Sequence, residues 1–78
     1  MEPETRFHFT SGREHYLAGE YDQAEGHLQK VVAKHDGFAD VHNMLGVSLS
    51  HLGKPEEAVP HFERAVELNP SYTEAALN

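Results

Sequence analysis

Val41-His-Asn-Met-Leu-Gly-Val-Ser-Leu-Ser-His-Leu-Gly-Lys-Pro-Glu-Glu-Ala-Val-Pro-His-Phe-Glu-Arg-Ala-Val-Glu-Leu-Asn-Pro70 is the stretch that decides the fold. It has apolar residues at helical spacing, a lone glycine at Gly53, a second amphipathic run, and a closing Pro70. The same pattern stands 34 residues earlier. That shift aligns His8 with His42, Gly12 with Gly46, Gly19 with Gly53, Ala24 with Ala58, His27 with His61 and Val32 with Val66. Near-matches join them: Phe7 with Val41, Asp22 with Glu56, Leu28 with Phe62, Lys30 with Arg64 and Phe38 with Tyr72. A fixed period in this range marks a protein built by stacking like units. Small residues hold register while surface residues drift, as expected where close helix contact sets the limit.

The second copy reads His42-x-x-Leu45-Gly46-x-x-Leu49, then Gly53, then Ala58-x-x-x-Phe62-x-x-Ala65, then Pro70. This pattern resembles the tetratricopeptide repeat, with His42 at the usual Trp position and Leu49 at the usual Tyr position. The first copy is looser. It keeps Gly12, Gly19, Ala24, Leu28 and Val31, but has Ser11 for Leu45, Glu25 for Val59 and Asp36 for Pro70. The resemblance covers nearly the whole chain. It implies an all-α fold of antiparallel helix-turn-helix repeats, stacked as a fragment of a right-handed superhelical solenoid. Residues 1–4 form a tail or first turn, 5–38 repeat 1, 39–72 repeat 2, and 73–78 the truncated start of repeat 3.

Four helices and a stub are expected, over about Pro3–Ala18, Tyr21–His35, Ala39–Leu52 and Pro55–Asn69. Gly19 and Gly53 end the first and third, because glycine takes the left-handed conformation readily. Asp36-Gly37 breaks the second and Pro70 stops the fourth. Pro60 lacks the amide that would bond the Glu56 carbonyl, so a bend or open turn is expected there. Ser71 is placed to cap the stub, with Glu74 completing a capping box. Gly12 and Gly46 open room where paired helices cross, with Ala24 and Ala58 opposite. Leu28, Leu45 and Phe62 fill the rest.

Composition narrows the function. In 78 residues there are 13 acidic and 6 basic side chains, a net charge of −7, which repels nucleic acid and anionic membrane surfaces. No apolar run spans a bilayer. The acidic start Met1-Glu2-Pro3-Glu4 does not read as a secretory signal, and a cytoplasmic location is expected. Cysteine is absent, which removes disulfides, thiolate metal sites and a cysteine nucleophile.

Chemistry-bearing groups are sparse. The seven histidines are His8, His15, His27, His35, His42, His51 and His61. They form no His-Glu-x-x-His motif and no i,i+4 pair, so a metal site ranks below ordinary packing and no metal ligand is assigned. Ser11, Ser48, Ser50 and Ser71 lie outside any nucleophile-elbow pattern. The pair Glu56-Glu57 suits a helix start, and phosphate-binding glycine loops are absent. The chain is expected not to be an enzyme, and no catalytic residue or cofactor is assigned.

Arg6, Phe9 and Arg13 share one face of the first helix. The resemblance implies that this face is the concave groove, with Asn43, Met44, Val47 and Ser50 on the third helix beside it. The expected function is protein–protein interaction, with a peptide or protein partner, acidic by charge complementarity. The family's carboxylate clamp places Lys, Asn, Asn, Lys and Arg where this chain has Phe9, Arg13, Met44, Glu74 and Asn78, so chaperone-tail binding is not expected. The alternative is a self-assembling scaffold, a homodimer formed through an open C-terminal end that carries Val66, Leu68, Ala75, Ala76 and Leu77. The end at Asn78, inside a helix pattern, reads as the edge of a longer array.

Overall fold

A computed structural model describes residues 1–71, and these form four helices in chain order: α1 (Pro3–Leu17), α2 (Tyr21–Lys34), α3 (Ala39–His51) and α4 (Pro55–Leu68). Each lies within one residue of its expected bounds. Among the described residues there is no strand. The expected stub and its capping box at Glu74 lie outside the described residues. Ser71 itself donates its hydroxyl to the Asn69 side-chain oxygen at 2.6 Å.

Proline at the helix start helps open α1 and α4, where the missing amide hydrogen costs nothing. The closures of α1 and α3 are the same motif repeated. Gly19 and Gly53 sit at φ 78° and 77°. In the first turn the Gly19 amide donates to the Tyr16 carbonyl at 3.1 Å and the Glu20 amide to His15 at 2.8 Å. In the second, Gly53 donates to Ser50 at 3.2 Å and Lys54 to Leu49 at 2.8 Å. These paired bonds satisfy carbonyls that the helix end leaves open, and the left-handed residue they need is cheapest as glycine. Helices α2 and α4 end differently: His35 and Asn69 are extended, which sends the chain on without a tight turn. Helix α4 continues through Pro60, an exposed position in its second turn.

Successive helices pack on one another, α1 on α2, α2 on α3 and α3 on α4, and α1 also touches α3. The main core lies where α2 meets α3: Ala24, Leu28, Val31, Val41, Met44 and Leu45, with Phe9, Tyr16 and Val32 against it. Leu28, Val31, Val41 and Leu45 are fully buried. Burying each such side chain removes about 1.5–3 kcal/mol of unfavourable hydration. The two glycines of the crossings are tight. A Cβ on Gly12 would lie 2.8 Å from Leu28, and one on Gly46 would lie 2.6 Å from the Phe62 ring. Glycine is therefore what lets each hairpin close.

Candidate functional site

Helices α1 and α3 make a slight contact. Arg6 and Arg13 are exposed on α1, two turns apart, with Phe9 half-buried between them. Phe9 is anchored by its contact with the core and shows only part of its ring. Neither arginine makes an ion pair among the described residues. One repeat further on, Asn43 and Val47 are half-buried and Ser50 is exposed. These six are the accessible residues of the expected groove: two cations with no ion pair among the described residues, an aromatic edge, and Asn43, Val47 and Ser50.

Met44 does not belong to it. Its side chain is 9% exposed and sits within the core. The reason is angular: Val41, Met44, Leu45, Ser48 and Leu49 follow the i, i+3, i+4, i+7, i+8 stripe that faces neighbouring helices. Asn43 and Val47 lie off that stripe and stay accessible.

Of the residues proposed for self-association, Val66 is 37% exposed and Leu68 half-buried, while Ala75, Ala76 and Leu77 lie outside the described residues. Val59, another apolar residue of α4, is 52% exposed. Its repeat equivalent on α2, Glu25, and the equivalent of Val66, Val32, are both half-buried, Val32 against the core that α2 forms with α3. The outer face of α4 has no such cover among the described residues.

Sequence reading missed the pairing of the histidines. It compared His8 with His42 across repeats, whereas the contacts run within each hairpin. His8 Nδ1 lies 3.0 Å from His27 Nδ1, and His42 Nδ1 lies 3.0 Å from His61 Nδ1. Each pair spans 19 residues and ties the first helix of a repeat to the second. The signal was present, since both members of each pair are repeat-equivalent. The His42 ring is buried where the resemblance places a large aromatic, and Nε2 faces both the Asp36 backbone carbonyl and its carboxylate at 3.0 Å. The other Asp36 oxygen accepts from Arg64 Nε at 3.2 Å, so one acidic side chain grips α3 and α4 together. In the first repeat the equivalent acid, Glu2, instead bonds Thr5 at 2.9 Å and His35 at 3.0 Å. Those two bonds, led by Thr5, lower the Glu2 carboxyl below its ordinary range. His15 stacks on His27 with ring centroids 5.7 Å apart, and His15 itself meets Glu20 at 2.9 Å. Burial, ahead of the neighbouring His8 and His15, pushes His27 below the ordinary histidine value. Burial and then His42 do the same to His61.

Among the described residues no group of three or more His, Asp or Glu converges to hold a metal ion. No helix among them is long and apolar enough to cross a membrane.

Comparison with known proteins gives one consistent result. The tetratricopeptide repeat family model matches residues 39–72. Over 62 residues the chain is 39% identical to the tetratricopeptide repeat domain-containing protein PYG7, chloroplastic, of Arabidopsis thaliana, a match covering 74% of this chain. The chain spans 21% of that relative's length. No solved structure matches it.

Proposed function

From the premise that this is a tetratricopeptide-repeat chain, with residues 39–72 as its matched repeat, we propose that it binds an acidic protein segment on the joined faces of α1 and α3. Tetratricopeptide repeats generally mediate protein–protein interaction and are typically non-enzymatic. The observation that carries the reading here is Arg6 and Arg13, two exposed cations with no ion pair among the described residues, flanking Phe9 on a chain of net charge −7. Cations left without an internal partner are available to carboxylates of another chain, and a guanidinium takes a carboxylate through two parallel hydrogen bonds. Phe9 adds an apolar contact between the two charges, and Asn43 and Ser50 offer hydrogen bonds to an extended backbone.

The test is a fluorescence-anisotropy titration with a labelled peptide of alternating acidic and apolar residues. Affinity should fall with added salt and vanish in the double variant Arg6→Glu/Arg13→Glu, whose helicity is unchanged. Binding that survives the double reversal overturns the groove assignment.

A second reading is favoured by the outer face of α4, where Val59 and Val66 are exposed among the described residues while their equivalents on α2 are half-buried. Two chains related by a two-fold axis would cover these faces mutually. The net charge opposes such association, so low salt weakens it. Sedimentation at rising concentration decides, and a monomer into the high-micromolar range at moderate salt removes this reading.

A further inference from the structure

The two histidine pairs stand at the same place in both hairpins, each bridging one helix to the next, and nothing in peptide recognition requires them. With Nδ1 atoms 3.0 Å apart, a pair is bonded only when one of the two nitrogens is bare. Neutral imidazoles meet that condition. Two imidazolium rings do not, because both Nδ1 atoms then carry hydrogen and the rings repel. We infer that the paired histidines make this fold acid-labile: each pair is a bond between helices that a second proton turns into a repulsion, and acid costs the pair in repeat 1 more stability than the pair in repeat 2.

The surroundings of each pair support the ordering. In repeat 2, His42 Nε2 faces two acceptors on Asp36, so it carries the hydrogen there and its Nδ1 accepts from His61. The groups facing this pair are Asp36 from the α2–α3 connection, Glu25 from α2 and Glu57 from α4, and all three carboxylates favour an added proton. Arg64 is drawn off by its own bond to Asp36. In repeat 1 the groups facing His27 are His8 and His15 from α1 and Lys30 from α2, and all three oppose a proton. Lys30 and Lys34 also line the cavity of about 190 Å³ beside His8, together with Glu4. Glu20 meets His15 and Glu2 meets His35, so neither of those acids bonds the pair. Burial and the partner ring oppose an added proton in both pairs; beyond those, the proton in repeat 1 meets His15 and Lys30, and in repeat 2 the three carboxylates.

The direction of the pH effect follows. His27 and His61 both sit below their ordinary value of 6.5 in the folded chain. As pH falls, the unfolded chain takes up protons before the folded one does. The stabilisation is complete above about 6.5 and is lost as pH drops from there toward the lower folded values. Exposed acids keep their charge down to about pH 5, so the window between is read as histidine.

Thermal melts followed by circular dichroism at pH 7.5 and 5.0, with a chelator present, are the test. The melting temperature of the unmodified chain should be lower at pH 5.0 by roughly 5 °C or more. His27→Gln, which keeps a neutral hydrogen-bonding side chain, should remove more of that difference than His61→Gln. No fall in the unmodified chain, or an equal fall in both variants, overturns the inference. A proton-NMR titration of the unmodified histidines needs no variant. His27 and His61 should titrate below the ordinary histidine value of 6.5, and midpoints at or above it overturn the inference as well. A further arm adds equimolar zinc at pH 7.5. A melting temperature raised by zinc and not in the glutamine variants would make the pairs metal ligands, and the proton account would fall.

Discussion

Helices α1 and α3 hold the same repeat positions and meet opposite fates. Seven residues of α3 are buried, against only Thr5 and Gly12 in α1. The difference is neighbours: α3 packs on both α2 and α4, whereas α1 has α2 on one side and a slight contact with α3. The second helices show a milder difference, with Leu28 fully buried on α2 while its equivalent Phe62 on α4 is half-exposed. Burial in a stacked fold is set by place in the stack as well as by position in the repeat. This explains why Leu45 has drifted to Ser11 in the first copy, where the residue is only half-buried.

Exchanging those two residues is the strongest way to break the comparison. Leu45→Ser empties a fully buried site and places a hydroxyl there, so it should cost at least about 3 kcal/mol. Ser11→Leu should cost little, because the outer side of α1 has room. Urea denaturation of both variants checks this, and similar losses would mean that place in the stack matters less than repeat position.

The crossings should reverse the ranking of the repeats. Gly46→Leu pushes into the Phe62 ring, which is half-exposed and able to swing outward, for a loss of roughly 1–3 kcal/mol. Gly12→Leu meets the fully buried Leu28 and should cost at least as much. An unchanged melting temperature for either would show that its helices are not held tightly at that point.

The turns should show no ranking. Gly19→Ala and Gly53→Ala both force alanine to a positive φ near 78° and 77°, for about 1 kcal/mol each. A clear inequality in their denaturation midpoints would mean that neighbours reach even the turns.

The smallest effect concerns Ser48, whose hydroxyl is fully buried and has no hydrogen-bond partner among the described residues. Ser48→Ala should leave stability unchanged or raise it by up to about 1 kcal/mol, because it removes an unsatisfied group. Glu14→Ala, at the equivalent exposed position, should stay within about 0.5 kcal/mol either way. A loss in Ser48→Ala would reveal a partner for that hydroxyl.

Much of this was readable from residues alone. The 34-residue shift and the lone glycines gave four helices to within one residue, because turn chemistry is local. Helical spacing put Arg6, Phe9 and Arg13 on one face of α1, but Met44 was added to the expected groove by adjacency when its stripe with Val41, Leu45 and Ser48 put it inside. The histidine pairs were harder. A 19-residue separation has no meaning along one helix and acquires one only when the hairpin closes. Likewise Asp36 and Glu2 are equivalent acids with different partners, and their choice depends on whether a helix precedes the turn.

Packing that joins successive helices has a consequence in time. Among the described residues the chain closes its helix contacts over short stretches, one hairpin after another, with the slight α1–α3 contact reaching further. Short closures carry a small entropic barrier, and helical proteins of this kind fold in roughly microseconds to milliseconds. The α2–α3 junction holds the largest fully buried side chains and draws one helix from each repeat. Folding should therefore be rate-limited there, at the seam between the repeats, with α1 and α4 joining afterwards.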